Sequence, residues 1–221
     1  MAASMFESNG TIRRQKLGEE IVNAITHGLG ALLAITGLLI LVVRAARYGT
    51  AIHLASVTIF GFTMILLYLC SCLYHALADN KGKRVFQVLD HCTIFLLILG
   101  TYIPICLVNI GGVLGWTLFG VNTTCAVVGI VLTAVNMKRW KKVSMVLYVA
   151  MGWMCLIALP AMYRALDSMG FVCLALGGVC YTVGILFYRQ KEKLYYHAIW
   201  HVFVLAGTIF QFITVYTNCC Y

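Results

Sequence analysis

Apolar residues run along this chain in long blocks rather than in alternation or on a single helical stripe. Seven blocks, at about 22–43, 51–75, 86–108, 113–136, 143–163, 170–188 and 195–217, each approach or exceed the roughly 20 residues that a helix needs to cross hydrocarbon. The polar segments between them are too short for a second folded domain. The pattern therefore predicts an all-α, polytopic membrane protein. A seven-helix bundle over 22–217 is preceded by a polar segment, 1–21, and followed by a short tail, 218–221. There is no internal repeat or low-complexity tract, and the first apolar run reads as an uncleaved anchor rather than a signal peptide.

Composition agrees. Of 221 residues, 62% are hydrophobic and 10% charged, more apolar surface than a soluble domain of this size hides. The net charge of +9 does not point to nucleic acid, because the basic residues are short punctuation between apolar runs. Their placement sets an orientation. With the N-terminus in the cytoplasm, the inner side carries Arg13, Arg14, Lys16, Lys81, Lys83, Arg84, Lys138, Arg139, Lys141, Lys142, Arg189, Lys191 and Lys193. The outer side keeps only Arg44, Arg47 and Arg164, so the C-terminus is expected outside.

Ionisable residues inside such runs are costly and point to a partner or a polar cavity. His197 and His201 stand at i and i+4 at the start of the last run, on one helical face, the spacing that grips a single metal ion. Ser71 and His75 form a second i, i+4 pair at the inner end of the second run, and Asp90 lies about one turn into the third. The orientation puts all five at one depth. Three neutral imidazoles suit zinc better than Fe2+ or Mn2+ and leave a fourth position for water, the catalytic rather than the closed structural arrangement. In that reading Zn2+ is held by His75, His197 and His201. Asp90 holds the water and accepts its proton as general base, while Ser71 bonds a ligand or a substrate oxygen.

Glu20 and His27 share a face of the first run. They either line the same cavity and bond to the site, or pair with each other as a lock at the helix end. His91 points about 100° away from Asp90 and reads as a packing residue, and His53 as interfacial. Pro104 and Pro160 are expected to bend their helices, and Gly111, Gly115, Gly177, Gly178 and Gly184 to allow close helix approach. Most of the ten cysteines lie within apolar runs as small hydrophobes. Cys219 and Cys220, at the outer end, are candidates for redox chemistry or pairing between chains.

These residues together resemble the hemolysin III family, bacterial relatives of the progestin and adiponectin receptors. The resemblance runs from about Glu19 to Tyr216. It is carried by Glu20 to Gly28 (EIVNAITHG), Ser71 to His75 (SCLYH), Leu89 to His91 (LDH) with Gly100 to Pro104 (GTYIP), and His197 to His201 (HAIWH). It implies a seven-helix bundle with the N-terminus inside and a zinc ion near the cytoplasmic leaflet. His75, His197 and His201 would be its ligands, with Asp90 on the zinc-bound water and Ser71 beside the ligands. Relatives with ceramide-hydrolysing activity make a lipid amide or ester the implied substrate. The short N-terminal segment lacks the extension of the animal receptors and speaks against a hormone-receptor role.

Three functions compete. The first is a zinc-dependent hydrolase acting on a membrane lipid in the bacterial plasma membrane. The second is a non-catalytic sensor or regulator of lipid homeostasis with a structural zinc. The third is a haemolytic pore-former, which seven apolar spans without a polar lumen do not favour. No lysine follows Lys193, which excludes retinal attachment in the last run. Polar residues confined to one end argue against a transporter.

Overall fold

The computed structural model describes residues 15–221, and residues 1–14 lie outside the described part. Every regular element among the described residues is helical: α1 Leu17–Tyr48, α2 Ala51–Ala76, α3 Lys81–Pro104, α4 Gly112–Gly152, α5 Leu159–Ala165, α6 Ser168–Tyr188 and α7 Tyr196–Asn218. The expected lead-in 1–21 thus ends in helix, because Glu19 and the residues around it supply a helix start. The Lys16 backbone N–H donates to the Glu19 carboxylate at 2.9 Å, satisfying one of the groups that a helix N-terminus leaves open.

Among the described residues, six helices are long and apolar enough to cross a membrane, where seven apolar runs were expected. The difference lies in one segment, Gly112–Ala165, which counts as a single 54-residue stretch. Its backbone leaves helical geometry at Asn136 (φ −158°, ψ 85°), and the Asn136 side chain then accepts from the Arg139 N–H at 3.0 Å, capping a new helix. Thr133 and Ser144 would be about 16 Å apart along a straight helix. Their hydroxyls meet at 3.0 Å, so the chain turns back on itself at Asn136.

The prolines act as elementary chemistry requires. A proline lacks the N–H that would bond four residues back, and an α-helix cannot continue unchanged through it. After Pro104 the chain widens into a π-helical stretch, Ile105–Ile110, which ends at Gly111 with φ +59°. Pro160 follows a 3-10 stretch, Trp153–Ala158, and sits in the first turn of α5. Both bends therefore take the form of a change in helix type.

α1, α2 and α7 enclose the largest core cluster, with Leu41, Val57, Phe60 and Val215 fully buried. A second cluster joins the end of α3 to α4, α5 and the 3-10 stretch around Ile105 and Met162. A third sits between α3 and α4, where the buried Phe95 ring lies against Gly129. A methyl group on Gly129 would fall within that ring. Gly129→Ala should therefore lower stability by about 1–3 kcal/mol. Gly120→Ala on the same helix, where a methyl meets nothing within 4 Å, should be neutral or slightly stabilising. Thermal unfolding of the two variants in one detergent separates these outcomes.

The topology places one set of helix ends together. α1, α3 and α7 begin, and α2 ends, at the same end of the bundle, with α1 packed on α2 and α7, and α2 on α3. Every candidate site residue comes from these four ends.

Candidate metal centre

His75, in the last turn of α2, and His197 and His201, in the first two turns of α7, are buried side by side. Each offers one ring nitrogen, and the three lie within 4.8 Å of one another. The Nε2 atoms of His197 and His201 are 3.1 Å apart. Two nitrogens bound at about 2.05 Å to one tetrahedral ion stand about 3.3 Å apart, so this pair already has the separation of shared ligands.

Hydrogen bonding orients two of the rings. Nδ1 of His75 lies 2.6 Å from the Glu20 carboxylate, which only accepts, so the ring donates there and its Nε2 keeps a lone pair. That Nε2 is buried and has no partner among the described residues. Nδ1 of His201 lies 3.4 Å from the Thr26 hydroxyl. The one proton of that hydroxyl points at the helix carbonyls of Val22 and Asn23, at 2.9 Å each, so its oxygen accepts from the ring. The His201 Nε2 lone pair is thereby also aimed into the cluster. Carboxylate or hydroxyl support behind a ligand imidazole fixes its tautomer and raises its basicity.

Of the two readings of Glu20 and His27, the structure places Glu20 on His75 rather than on His27. Lys83, from the first turn of α3, donates to the other Glu20 oxygen at 3.1 Å and to the Leu77 carbonyl at 3.1 Å. His27 instead stacks on His201, with ring centroids 3.6 Å apart and planes within 12°, and meets the Tyr68 ring edge-on at 5.1 Å. Both its ring nitrogens are buried without a partner.

Ser71 is buried one turn before His75, and its hydroxyl also has no partner. Asp90 is half-buried, and its carboxylate lies 3.7 Å from His91 Nδ1. The Tyr74 and Tyr188 rings flank His75 and His197, with centroids at 4.5 and 6.0 Å. Asp90 is not among the three grouped ligands. His91 bonds through Nδ1 to the Gln87 carbonyl, and its own carbonyl accepts from the Tyr148 hydroxyl at 2.7 Å.

Buried polar atoms are nearly always hydrogen-bonded. Here the Ser71 hydroxyl, His75 Nε2, His197 Nδ1 and both His27 nitrogens gather without partners at one spot. That concentration, with two lone pairs already aimed inward, fits a metal ion. Lys83, Thr26 and Tyr68 were not anticipated. Thr26 and Asn23 could have been, since they continue the polar face of Glu20 and His27 through an apolar run; Lys83 reads only as a flanking charge.

Elsewhere, Nδ1 of His53 accepts from the Thr50 N–H at the start of α2. All ten cysteines are free thiols, and Cys219 and Cys220 are buried, with the Cys219 thiol donating to the Asn109 side chain at 2.7 Å.

Comparison with known proteins shows the family of the chain. The profile of the family described as Haemolysin-III related matches residues 15–212. Hemolysin-3 of Bacillus cereus is 42% identical over 201 residues, covering 91% of this chain and 92% of the relative. The Hemolysin-3 homolog of Bacillus subtilis (strain 168) is 44% identical over 201 residues, covering 91% and 94%. More distantly, the human monocyte to macrophage differentiation factor is 23% identical over 164 residues, covering 72% and 68%. No solved structure matches the chain.

Proposed function

The chain belongs to the haemolysin-III-related family, and from that premise we propose a seven-span, zinc-dependent hydrolase of a lipid amide or ester bond in the bacterial plasma membrane. The observation that carries the reading is the trio of buried imidazoles with ligand atoms within 4.8 Å, backed by Glu20 and Thr26. Seven crossings follow if the reversal at Asn136 lies at the membrane surface, among Lys138, Arg139, Lys141 and Lys142. The histidine end then faces the cytoplasm, because the basic loops lie on that side.

Three imidazoles and no thiolate suit zinc, which supplies Lewis acidity and brings the ionisation of water near pH 7. The chain supplies the rest. Asp90 takes a proton from water and returns it to the leaving group. The Ser71 hydroxyl, buried and free to donate, stabilises charge developing on the substrate carbonyl oxygen. An apolar cavity of about 140 Å3 runs between α3, α4, α5 and α6, bordered along α6 from Phe171 to Ile185. That is about 21 Å of helix, and its inner end is one turn from Tyr188, so it suits an acyl chain whose head reaches the histidines.

A second reading has its own support. α2 packs on α1 and α3 and α7 on α1 and α6, so a metal joining His75 to His197 and His201 would staple two helices with little direct contact. The Asp90→Asn variant separates the two. A hydrolase predicts that zinc-loaded protein releases fatty acid from an amide- or ester-linked lipid in vesicles. Asp90→Asn then keeps the metal and loses about 100-fold or more of the rate. Equal background release by wild type, Asp90→Asn and His197→Ala would leave the staple as the function of the metal.

A further inference from the structure

A second cavity begins one helical turn beyond His27, and the Tyr68 ring that meets His27 edge-on forms part of its floor. It is a groove of about 310 Å3 between α1 and α7, floored by α2 and open along one side. Its walls are apolar, and Leu33, Ile40 and Ile209, at 44–47% exposure, border its open side. Gly37 brings the walls to their closest approach, since a methyl there would stand 3.0 Å from the Phe212 ring. The groove extends from Gly30 to Ile40 along α1, about 15 Å of helix.

A cation stands at its end. Arg44 follows Ile40 by one turn and Tyr216 follows Phe212 by one turn, and Arg44 Nη1 donates to the Tyr216 hydroxyl at 3.2 Å. The guanidinium lies over the Tyr216 and Tyr221 rings at 4.6 and 4.9 Å. Its Nε is buried with no hydrogen-bond partner, and no carboxylate pairs with it among the described residues. Arg47, exposed on the next turn, adds a second positive charge at the same end. A guanidinium held by aromatic rings, with donors left over, matches a phosphate. An apolar groove that opens sideways in a membrane helix bundle and ends on that guanidinium matches an acyl chain joined to it.

We propose that the groove between α1 and α7 binds an anionic phospholipid, with an acyl chain along Gly37 and Ile40 and its phosphate on Arg44. Its phosphate end, at Arg44, lies about 25 Å along α1 from His27, while the opposite end of the groove is one turn from His27; the proposal does not rest on the hydrolase activity.

Native mass spectrometry of the purified protein tests it, with phosphatidylglycerol and phosphatidylcholine of identical acyl chains added in equal amounts. Wild type should retain phosphatidylglycerol about fivefold better, the preference expected of one basic residue near the surface. Arg44→Gln should abolish the preference, and Arg44→Lys should keep most of it. Ile40→Trp fills the groove from its half-exposed rim without entering the core, and should lower retention of both lipids. An Arg44→Gln protein that keeps the wild-type preference would overturn the phosphate contact. Unchanged retention of both lipids by Ile40→Trp would overturn the groove.

Discussion

His201→Ala should lose the metal and lower stability by about 4 kcal/mol, the stabilisation that a ligand at about a thousand times its dissociation constant gives to the folded state. The ring is buried, with Nε2 3.1 Å from that of His197 and its face on His27. Its removal therefore takes away one of three ligands and leaves a space beneath His27. The two effects can be told apart. A chelator added to wild type should reproduce the metal-dependent part of the loss, whereas the midpoint of His201→Ala should not respond to chelator at all. A wild-type midpoint that ignores both chelator and added zinc would mean that the histidines pack without a metal. Calorimetry or thermal unfolding in a single detergent is sufficient.

The second large effect is expected at Glu20, which touches no metal. Its carboxylate sits 2.6 Å from His75 Nδ1 and 3.1 Å from the Lys83 ammonium. Glu20→Gln keeps the shape but removes the charge, and the new amide can donate where the carboxylate only accepted. His75 then loses the support that holds its Nε2 lone pair toward the cluster. Metal affinity should fall about 10- to 100-fold, the usual cost of losing a partner behind a ligand imidazole. Competition with a zinc indicator measures it directly. Lys83→Met should cause a smaller loss in the same direction, since it leaves Glu20 in place and removes only its second bond. Equal affinities for wild type and Glu20→Gln would show that His75 needs no such support.

Much of this arrangement was legible in the chain itself, and the reasons are physical. Long apolar runs report membrane helices because hydrocarbon demands them, and α7 begins and ends within one residue of the expected run. The histidines could be brought together from connectivity alone, since helices of alternating direction put the end of one run beside the start of the next. The reversal at Asn136 was visible as a break between two runs, yet the helices on either side are joined by so short a turn that they merge into one element. The prolines promised bends, but whether a freed carbonyl is met by a wider or a tighter helix depends on packing that one-dimensional pattern does not carry. Glu20 posed the same difficulty. Its spacing to His27 placed the two on one face, whereas the bond it makes is to His75 on another helix, set by how α1 lies against α2. Lys83 was counted as topology, and its reach back to Glu20 depends on the tight turn between α2 and α3.

We propose that His75, His197 and His201 hold one zinc ion. Elemental analysis by mass spectrometry of purified wild type beside His75→Ala tests it most directly, because His75 comes from a different helix than the other two. About one zinc per chain is expected in wild type and little in His75→Ala. The same zinc content in both proteins, or none in a wild type purified without chelator and supplied with zinc, would contradict it.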